Sequence, residues 1–223
     1  GKLGDPQAVP ALIQALGDKR DVRRAASEAL GKLGDPQAVP ALSVWAHTGE
    51  NAARDALEQM GQPLLTLHEA VVQVAEQAAW SVLIRALPNE EVRKAVVGLN
   101  IPAVPALIQA LEDRDEDVRR AACQALGAIG DPQAVPALSQ ALGDDRGGVR
   151  VRAAEALGRI GDPQAVPALI QALGDDWYDV RRAACEALVK IGAPAVPALI
   201  QALGDSERLV RRAAVSYTHL RAH

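Results

Sequence analysis

Apolar residues near the start of the chain recur with the spacing of one helix face. Val9, Leu12, Ile13 and Leu16 stand at i, i+3, i+4 and i+7, which places their side chains on one stripe of an α-helix. An Asp-Pro dipeptide precedes this stripe and a glycine follows it. Asp is a preferred N-cap, Pro suits the first helical turn, and Gly commonly ends a helix. The pattern therefore predicts a first helix bounded by these signals.

A second amphipathic helix is predicted over residues 21–34, with Gly34 at its end. Its apolar face is rich in alanine, which allows neighbouring helices to approach closely. The residues of this face are Val22, Ala25, Ala26, Ala29, Leu30 and Leu33. Charged residues, among them Arg23, Glu28 and Lys32, occupy the opposite face. The two helices form one helix pair.

The helix pair repeats along the chain. Residues 5–18 return almost unchanged at 131–144 and 162–175. A fixed period of this size indicates stacked units, each of which buries its apolar face against its neighbours. Every unit carries a proline near the end of the first turn of its first helix, and we expect it to remove one hydrogen bond and bend the helix. These prolines include Pro10, Pro105, Pro136, Pro167 and Pro197.

The composition constrains the core and the partner. Apolar residues make up 49% of the 223 residues, but aromatic residues make up only 2% and there is no Phe. The core must therefore be built from Ala, Leu, Val and Ile. The formal net charge of −4 argues against a nucleic-acid binder, because such proteins need a basic face. No apolar run approaches the roughly 20 residues of a membrane span.

The two cysteines are predicted to be packing residues. Cys123 and Cys185 occupy the same position two repeats apart, where Ser27 and Ala154 stand in other units. Helices stacked about 8–10 Å apart would separate these thiols by roughly 20 Å. A disulfide requires Cα atoms within about 7 Å, so we expect none.

The repeated residues resemble a known family. Residues 5–16 read Asp-Pro-x-Ala-Val-Pro-Ala-Leu-x-x-Ala-Leu, and residues 22–31 read Val-Arg-x-x-Ala-x-x-Ala-Leu-Gly. These motifs look like the HEAT-like repeats of the phycobilisome-lyase type, over residues 1–42 and 101–215. The resemblance implies an all-α, right-handed α-solenoid of stacked antiparallel helix pairs. It also implies that first helices form the convex side and that second helices line the concave, ligand-facing side. The family includes chromophore lyases, iron-dependent hydroxylases and scaffolds.

Residues 43–100 depart from the repeat. The expected Ile-Gln-Ala-Leu-Gly-Asp is replaced at residues 43–48. Residues 63–87 contain neither Gly nor Pro after Pro63 and predict either one bent helix or two tightly joined ones. Residues 88–95 resemble a shortened second helix. We interpret the stretch as one or two degenerate repeats, which mark a binding site or a change of curvature, or else only serve packing.

The repeat pattern stops at residue 215, and we expect residues 1–215 to form a single array. Residues 216–223 resemble the translated adapter read-through found at the ends of metagenomic gene fragments, so we expect an artefactual tail. The chain begins in mid-repeat without Met, and we expect its natural start to lie upstream. His219 and His223 stand at i, i+4, a spacing that can ligate zinc, but no third ligand is evident and no metal site is predicted.

Candidate catalytic groups are few. His68-Glu69 is the single His-Glu dipeptide, whereas the iron-binding HEAT-like hydroxylases use several from different repeats. His47 has no Ser or Cys nucleophile at a recognisable spacing. Paired acids at residues 144–145 and 175–176 fall in predicted turns, where helix capping explains them. We predict no catalytic residue, metal or cofactor, and favour a protein that is not an enzyme.

The best candidate surface combines variable positions at the start and along the outer face of the second helices. Trp177 and Tyr178 stand where other units carry residues 19–20, 115–116 or 146–147, while neighbouring positions stay constant. Trp, Tyr and Arg are enriched in interface hot spots. The alternative is that Trp177 packs across a turn and that the others form a solvated helix face. The remaining predicted binding residues are Arg182, Glu186, Arg146, Glu155, Arg120 and Gln124.

A repeated Val-Arg dipeptide opens the second helices at Arg119, Arg181 and Arg211. Because it does not vary with the neighbouring tips, its arginine is predicted to be structural. We expect it to form bonds between adjacent units.

These observations predict a non-catalytic scaffold that binds a protein partner of unknown identity on the concave, second-helix face. The alternatives are a bilin lyase-like protein or a HEAT-like oxidoreductase subunit, and nucleic-acid binding is less favoured because of the net charge. We expect a cytoplasmic monomer that does not associate with membranes.

Overall fold

A computed structural model describes residues 8–76, 79–99 and 103–197. Within these ranges the chain consists of α-helices, short 3₁₀ turns and connecting loops, and no strand occurs. The predicted all-α architecture of helix pairs is confirmed. Within the described ranges, no helix combines the length and the apolar character needed to cross a membrane. The prediction of a tail at residues 216–223 lies outside the described residues.

The contacts divide the chain into two compact units. Unit 1 covers residues 1–106 and unit 2 covers residues 107–223, and the boundary falls within helix α8 (Val104–Ala110). The described helices of unit 1 are α1 (Ala8–Ala15), α2 (Arg20–Leu33), α3 (Val39–His47), α4 (Asn51–Gln59), α5 (Leu67–Glu76), α6 (Trp80–Ala86) and α7 (Glu90–Gly98). Those of unit 2 beyond α8 are α9 (Glu116–Ile129), α10 (Val135–Ala141), α11 (Gly147–Ile160), α12 (Val166–Ala172) and α13 (Tyr178–Ile191). The prediction that residues 1–215 form a single array stays a prediction.

The first helices α3, α10 and α12 each follow directly on a 3₁₀ turn. Asp131 caps the turn Pro132–Ala134 by accepting a hydrogen bond from the Gln133 amide, and α10 then starts at Val135. The following proline, Pro136, is therefore the second residue of the α-helix. The Val135 amide still donates to the Pro132 carbonyl across this junction, whereas Pro136 has no amide hydrogen with which to continue the series. The predicted lost hydrogen bond and bend stay a prediction at this position and at its equivalents Pro40 and Pro167.

Glycines have two distinct roles in the second helices. Gly34, Gly130 and Gly161 end them in the left-handed conformation, with φ of 70°, 77° and 74°, as predicted for helix stops. Gly127 and Gly158 instead lie inside α9 and α11. A β-carbon at either residue would come within 2.7 Å of the α-carbon of an alanine on the next second helix. These two glycines are therefore close contacts between second helices, a role that the sequence did not predict.

The second helices pack against one another to form the main layer of unit 2. Helix α11 lies between α9 and α13, while α10 packs on α11 and α12 packs on α13. Alanine and leucine fill the interfaces, as expected for a chain without Phe. Cys123 is fully buried in this layer, and desolvation raises the pKa of its thiol to about 12. This burial agrees with the predicted packing role, and neither Cys123 nor Cys185 is in a disulfide.

Unit 1 explains the departure from the repeat in physical terms. Residues 63–87 contain two helices, α5 and α6, and both pack on α3. Every residue of α3 from Val39 to Ala46 is buried. Val44, which is fully buried, stands where the regular first helices carry exposed glutamines such as Gln140 and Gln171. The divergent sequence of α3 thus serves packing, because this helix has no solvent face.

The close glycine contact of unit 2 predicts an unusual response to Gly127→Ala. Alanine favours a helix over glycine by up to about 1 kcal/mol, but the added methyl group would overlap Ala156. Overpacking typically costs about 1–3 kcal/mol, so we expect the variant to unfold at a lower urea concentration than the wild type.

Gly98→Ala provides the matched control, because nothing lies within 4 Å of the added carbon at the end of α7. This variant should be neutral or slightly more stable. If Gly127→Ala were as stable as Gly98→Ala, the close contact would not limit the packing of the second helices.

Candidate partner-binding surface

Two partly buried arginines connect the second helices of unit 2 to the turns that precede the next ones. The Nε of Arg119 on α9 donates to Asp144 Oδ2 at 2.7 Å, and its Nη2 donates to Asp144 Oδ1 at 3.0 Å. Arg150 on α11 makes the same two bonds to Asp175, at 2.7 and 3.0 Å. These bidentate pairs combine charge with fixed geometry. They join each second helix to the following unit.

The same arginines also hold the turn before their own helix. The Nη1 of Arg119 donates to the Asp113 carbonyl at 2.8 Å, and that of Arg181 donates to the Asp175 carbonyl at 2.7 Å. In unit 1, Arg93 makes the equivalent bond to the Leu87 carbonyl at 3.0 Å. The predicted bonds between adjacent units are found for Arg119. The bonds of Arg181 are to the turn before its own helix, and Arg211 lies outside the described residues.

The turn aspartates combine capping with ion pairing. Asp144 Oδ1 accepts a hydrogen bond from the Arg146 amide at 2.8 Å, as Asp175 Oδ1 does from the Trp177 amide. Burial opposes ionisation of Asp144, but the hydrogen bonds from Arg119 and from the Arg146 amide outweigh it and lower the pKa of this carboxyl group. Capping was predicted for these acids, but their pairing with the arginines was not.

Unit 1 replaces this pair with an aromatic contact. The position 25 residues after Arg23 is Thr48 rather than an aspartate, and the Arg23 guanidinium lies 3.7 Å from the ring centroid of Trp45. Glu50 Oε2 is 3.5 Å from Arg23 Nε. Burial lowers the pKa of Arg23, and the Glu50 charge partly offsets this effect. The cation is thus held by a π face and a nearby carboxylate.

Next to these arginine–aspartate pairs, the residues that immediately precede the second helices of unit 2 are exposed to solvent. The position before the helix is Asp115 at α9, Arg146 at α11 and Trp177 at α13. Trp177 is 57% exposed, and Tyr178, the first residue of α13, is 68% exposed. The variable position that precedes the helix therefore lies on the surface, whereas the position after it is exposed at Tyr178 and buried at Gly147.

Trp177 is supported by the preceding unit. Its indole ring covers buried Gly147, where a β-carbon would lie 2.5 Å from the ring. The Arg150 guanidinium is 6.0 Å from the ring centroid. The alternative that Trp177 packs across a turn is thus correct for one face of the ring, while more than half of the residue stays accessible. The guanidinium carbon of Arg181 lies 5.9 Å from the ring centroid of Tyr178.

The other predicted binding residues lie along the polar faces of α9, α11 and α13, where most are engaged in local ion pairs. Arg120 pairs with Asp117 on its own helix. Glu155 accepts from Arg152 at 2.8 Å, and Glu186 accepts from Arg182 at 2.9 Å. Arg146 reaches back to Glu116 at 3.2 Å. Gln124 is half-buried on α9. These contacts are also those of a solvated amphipathic face.

An open groove of about 530 Å³ lies along the turns of unit 2 beside these tips. Six carboxylates and three guanidinium groups line it, together with Leu111, so its net charge is −3. The charged lining residues are Glu112, Asp113, Asp115, Glu116, Asp144, Asp145, Arg114, Arg119 and Arg146. The sequence did not reveal this groove, because it forms only when consecutive turns are stacked.

Two residues considered for catalysis, Glu69 and His47, have structural contacts. Glu69 and Thr66 form a capping box, in which the Thr66 amide donates to Glu69 Oε2 at 3.0 Å and the Glu69 amide donates to Thr66 Oγ1 at 3.3 Å. His47 Nε2 donates to the Leu65 carbonyl at 2.8 Å. In the described part of the chain, no three His, Cys, Asp or Glu residues are grouped so that they could hold a metal ion. His219 and His223 lie outside it.

The sequence matches the family described as HEAT repeats over residues 1–61, 83–148, 104–189 and 148–217. The chain belongs to the HEAT-repeat family. This confirms the recognised family and the repeat character of the array. No curated protein matches the sequence.

Solved HEAT-like and armadillo structures resemble this HEAT-repeat chain. The CpcE–CpcF complex of phycocyanin lyase from Nostoc sp. PCC7120 is 25% identical, with a TM-score of 0.50 over 64% of this chain and 99% of the other. Human deoxyhypusine hydroxylase is 24% identical, with a TM-score of 0.45 over 99% of this chain and 86% of the other. A designed armadillo repeat protein, solved with the peptide (KR)4, is 18% identical, with a TM-score of 0.45 over 95% and 98%.

The Arg119–Asp144 pair of this HEAT-repeat chain generates a pH-dependent prediction. Asp144→Asn should lower the free energy of unfolding by about 1–3 kcal/mol at neutral pH, because Arg119 loses its charged partner. The pKa of Asp144 is lowered in the folded state, so its stabilisation is present above the ordinary carboxyl pKa of about 3.9. It is lost as the pH falls through the lower folded value. Acidification should therefore destabilise the wild type more than Asp144→Asn in urea unfolding.

Asp145→Asn is the control, because the Asp145 side chain is 78% exposed although it also contacts Arg119 at 3.2 Å. Exposed pairs contribute about 0–1 kcal/mol. If Asp144→Asn and Asp145→Asn lower the free energy of unfolding equally at neutral pH, the bidentate Arg119–Asp144 pair stabilises the fold no more than an exposed pair does.

Proposed function

We propose that this HEAT-repeat chain is a non-catalytic scaffold that binds a protein partner on the faces and tips of its second helices. The observation that carries the proposal is a contrast within unit 2. The arginine–aspartate pairs that link successive units are constant and partly buried, whereas the exposed residues that precede the second helices vary. In unit 2, Arg119 and Arg150 make the same bonds to the next turn. The residues that open the helices above them differ in chemistry from one unit to the next.

The chemistry of these tips supports recognition. Trp177 and Tyr178 present large accessible rings, and Trp, Tyr and Arg are the residues that most often dominate binding energy in interfaces. Because Gly147 supports one face of Trp177, part of the entropy cost of ordering the ring is met before a partner binds. The implied concave side of the HEAT-like family is the side that carries these second helices.

A second candidate function is a bilin lyase-like activity. It is motivated by the similarity to the phycocyanin lyase complex, at 25% identity and a TM-score of 0.50. A bilin would be expected to stack on exposed rings such as Trp177. Mixing the purified protein with a free bilin separates the two candidates: a shift of the bilin absorbance that Trp177→Ala abolishes would favour the lyase-like function.

The scaffold function can be tested without a known partner. A displayed library of random peptides is selected on the wild-type protein, and the binders are measured against Trp177→Ala and Gln164→Ala. Gln164 is an exposed residue of the 3₁₀ turn before α12, on the first helix of the same pair. Binders that depend on Trp177 and not on Gln164 support the proposal. The proposal would be contradicted if Trp177→Ala left the affinity of every selected binder unchanged.

Trp177→Ala is expected to weaken these binders by at least about tenfold, because loss of a hot-spot ring commonly costs about 2 kcal/mol or more. The free energy of unfolding should change by no more than about 1 kcal/mol, since more than half of the residue is exposed. Titration and urea unfolding of the same preparation measure both effects. A large loss of stability with binding retained would assign Trp177 to packing alone.

A further inference from the structure

We propose that the partner contributes a segment rich in Lys or Arg, which lies along the turn groove of unit 2 and over Trp177 and Tyr178. This inference rests on the proposed scaffold function and specifies the chemistry of the partner. Two different observations support it: an exposed pair of aromatic rings and an adjacent groove with an excess of negative charge.

The aromatic pair is the most accessible large apolar surface among the described residues. Trp177 is 57% exposed and Tyr178 is 68% exposed, whereas Leu64, the next, is 45% exposed. The two rings are consecutive in sequence, and an aspartate stands on each side of them: Asp176 before and Asp179 after. Both aspartates are exposed. Rings bordered by carboxylates suit a cationic side chain, whose stem packs on the ring while its charge faces an acid.

The groove continues the same chemistry toward the preceding turns. Arg146 lines the groove, and the next residue, Gly147, lies beneath the Trp177 ring. The groove therefore borders the support of the aromatic pair.

Two of the three arginines that line the groove are engaged by the protein's own carboxylates. Arg119 pairs with Asp144 and Asp145, and Arg146 pairs with Glu116. Carboxylates outnumber guanidinium groups by three in the lining, so the excess charge that a partner meets is negative.

Charge complementarity selects the partner class. A basic segment gains favourable contacts along the groove and is attracted to it before contact. An acidic segment or a nucleic-acid backbone would bring further negative charge to these carboxylates. The structure therefore favours a basic protein segment over both.

The experiment measures binding of two labelled peptides of roughly ten residues by fluorescence anisotropy. One alternates Arg and Ser, and the other alternates Glu and Ser. The Arg-Ser peptide is expected to bind the wild-type protein, and to bind several-fold more weakly when NaCl is raised from about 50 to about 300 mM. The Glu-Ser peptide is expected not to bind.

Variants then separate site binding from general attraction to an acidic protein. Trp177→Ala should weaken Arg-Ser binding by at least about fivefold. The double variant Glu112→Gln with Asp176→Asn should weaken it by about three- to tenfold. The control is Asp55→Asn with Glu58→Gln in unit 1, which removes two exposed charges from α4 and should change binding by less than about twofold.

Three outcomes would overturn the inference: no Arg-Ser binding, equal losses in the two double variants, or binding of the Glu-Ser peptide or single-stranded DNA at the same site. The library selection keeps this failure distinct from failure of the scaffold function. If it yields Trp177-dependent binders without basic residues while the Arg-Ser peptide does not bind, the scaffold function stands and the basic partner is wrong. If no binder depends on Trp177, both fail.

Discussion

The guanidinium of Arg119 sits between a second helix, the turn before it and the turn of the next unit. Removing such a group from water is costly, and the cost is offset only when its donors meet acceptors with good geometry. Asp144 and the Asp113 carbonyl provide these acceptors, and Arg150 repeats the arrangement. Both arginine–aspartate pairs span 25 residues. The intervening segment, which contains the rest of one second helix and the next first helix, therefore has the same length in both units.

The second constraint is the distance between adjacent second helices. A β-carbon added at Gly127 or Gly158 would lie 2.7 Å from an alanine α-carbon of the adjacent second helix, which is too close for the packing to accept. Small residues on both helices let the backbones come together, and dispersion contacts then replace the large aromatic side chains that the core lacks. In unit 1, Gly31 faces Ala56 in the same manner, although the arginine pair is absent there and Arg23 rests on Trp45 instead. The helix contact is thus shared by units whose polar links differ.

Because the arginine–aspartate pairs and the glycine contacts hold successive units together, the exposed positions that precede the second helices are free to differ. Asp115, Arg146 and Trp177 occupy equivalent positions with unlike chemistry, and the Arg119–Asp144 and Arg150–Asp175 pairs do not include their side chains. Trp177 is partly an exception, because it uses Gly147 of the preceding unit as a platform. A residue held on one face and open on the other suits recognition, since little further ordering is needed on binding. The groove beside Trp177 gives this surface an excess of negative charge.

The sequence by itself determined the repeat, the helix pairs and the helix ends, because these follow from local periodicity and from capping residues such as Asp131 and Gly130. It also identified Arg119 as structural and Trp177 as a variable tip. Tertiary structure alone decided that Asp144 is the partner of Arg119, that Gly127 makes a close helix contact, and that α3 is buried among α4, α5 and α6. Each of these depends on which surfaces meet between elements distant in sequence. Local propensity carries no information about such meetings, whereas burial and close approach arise only once the helices are packed.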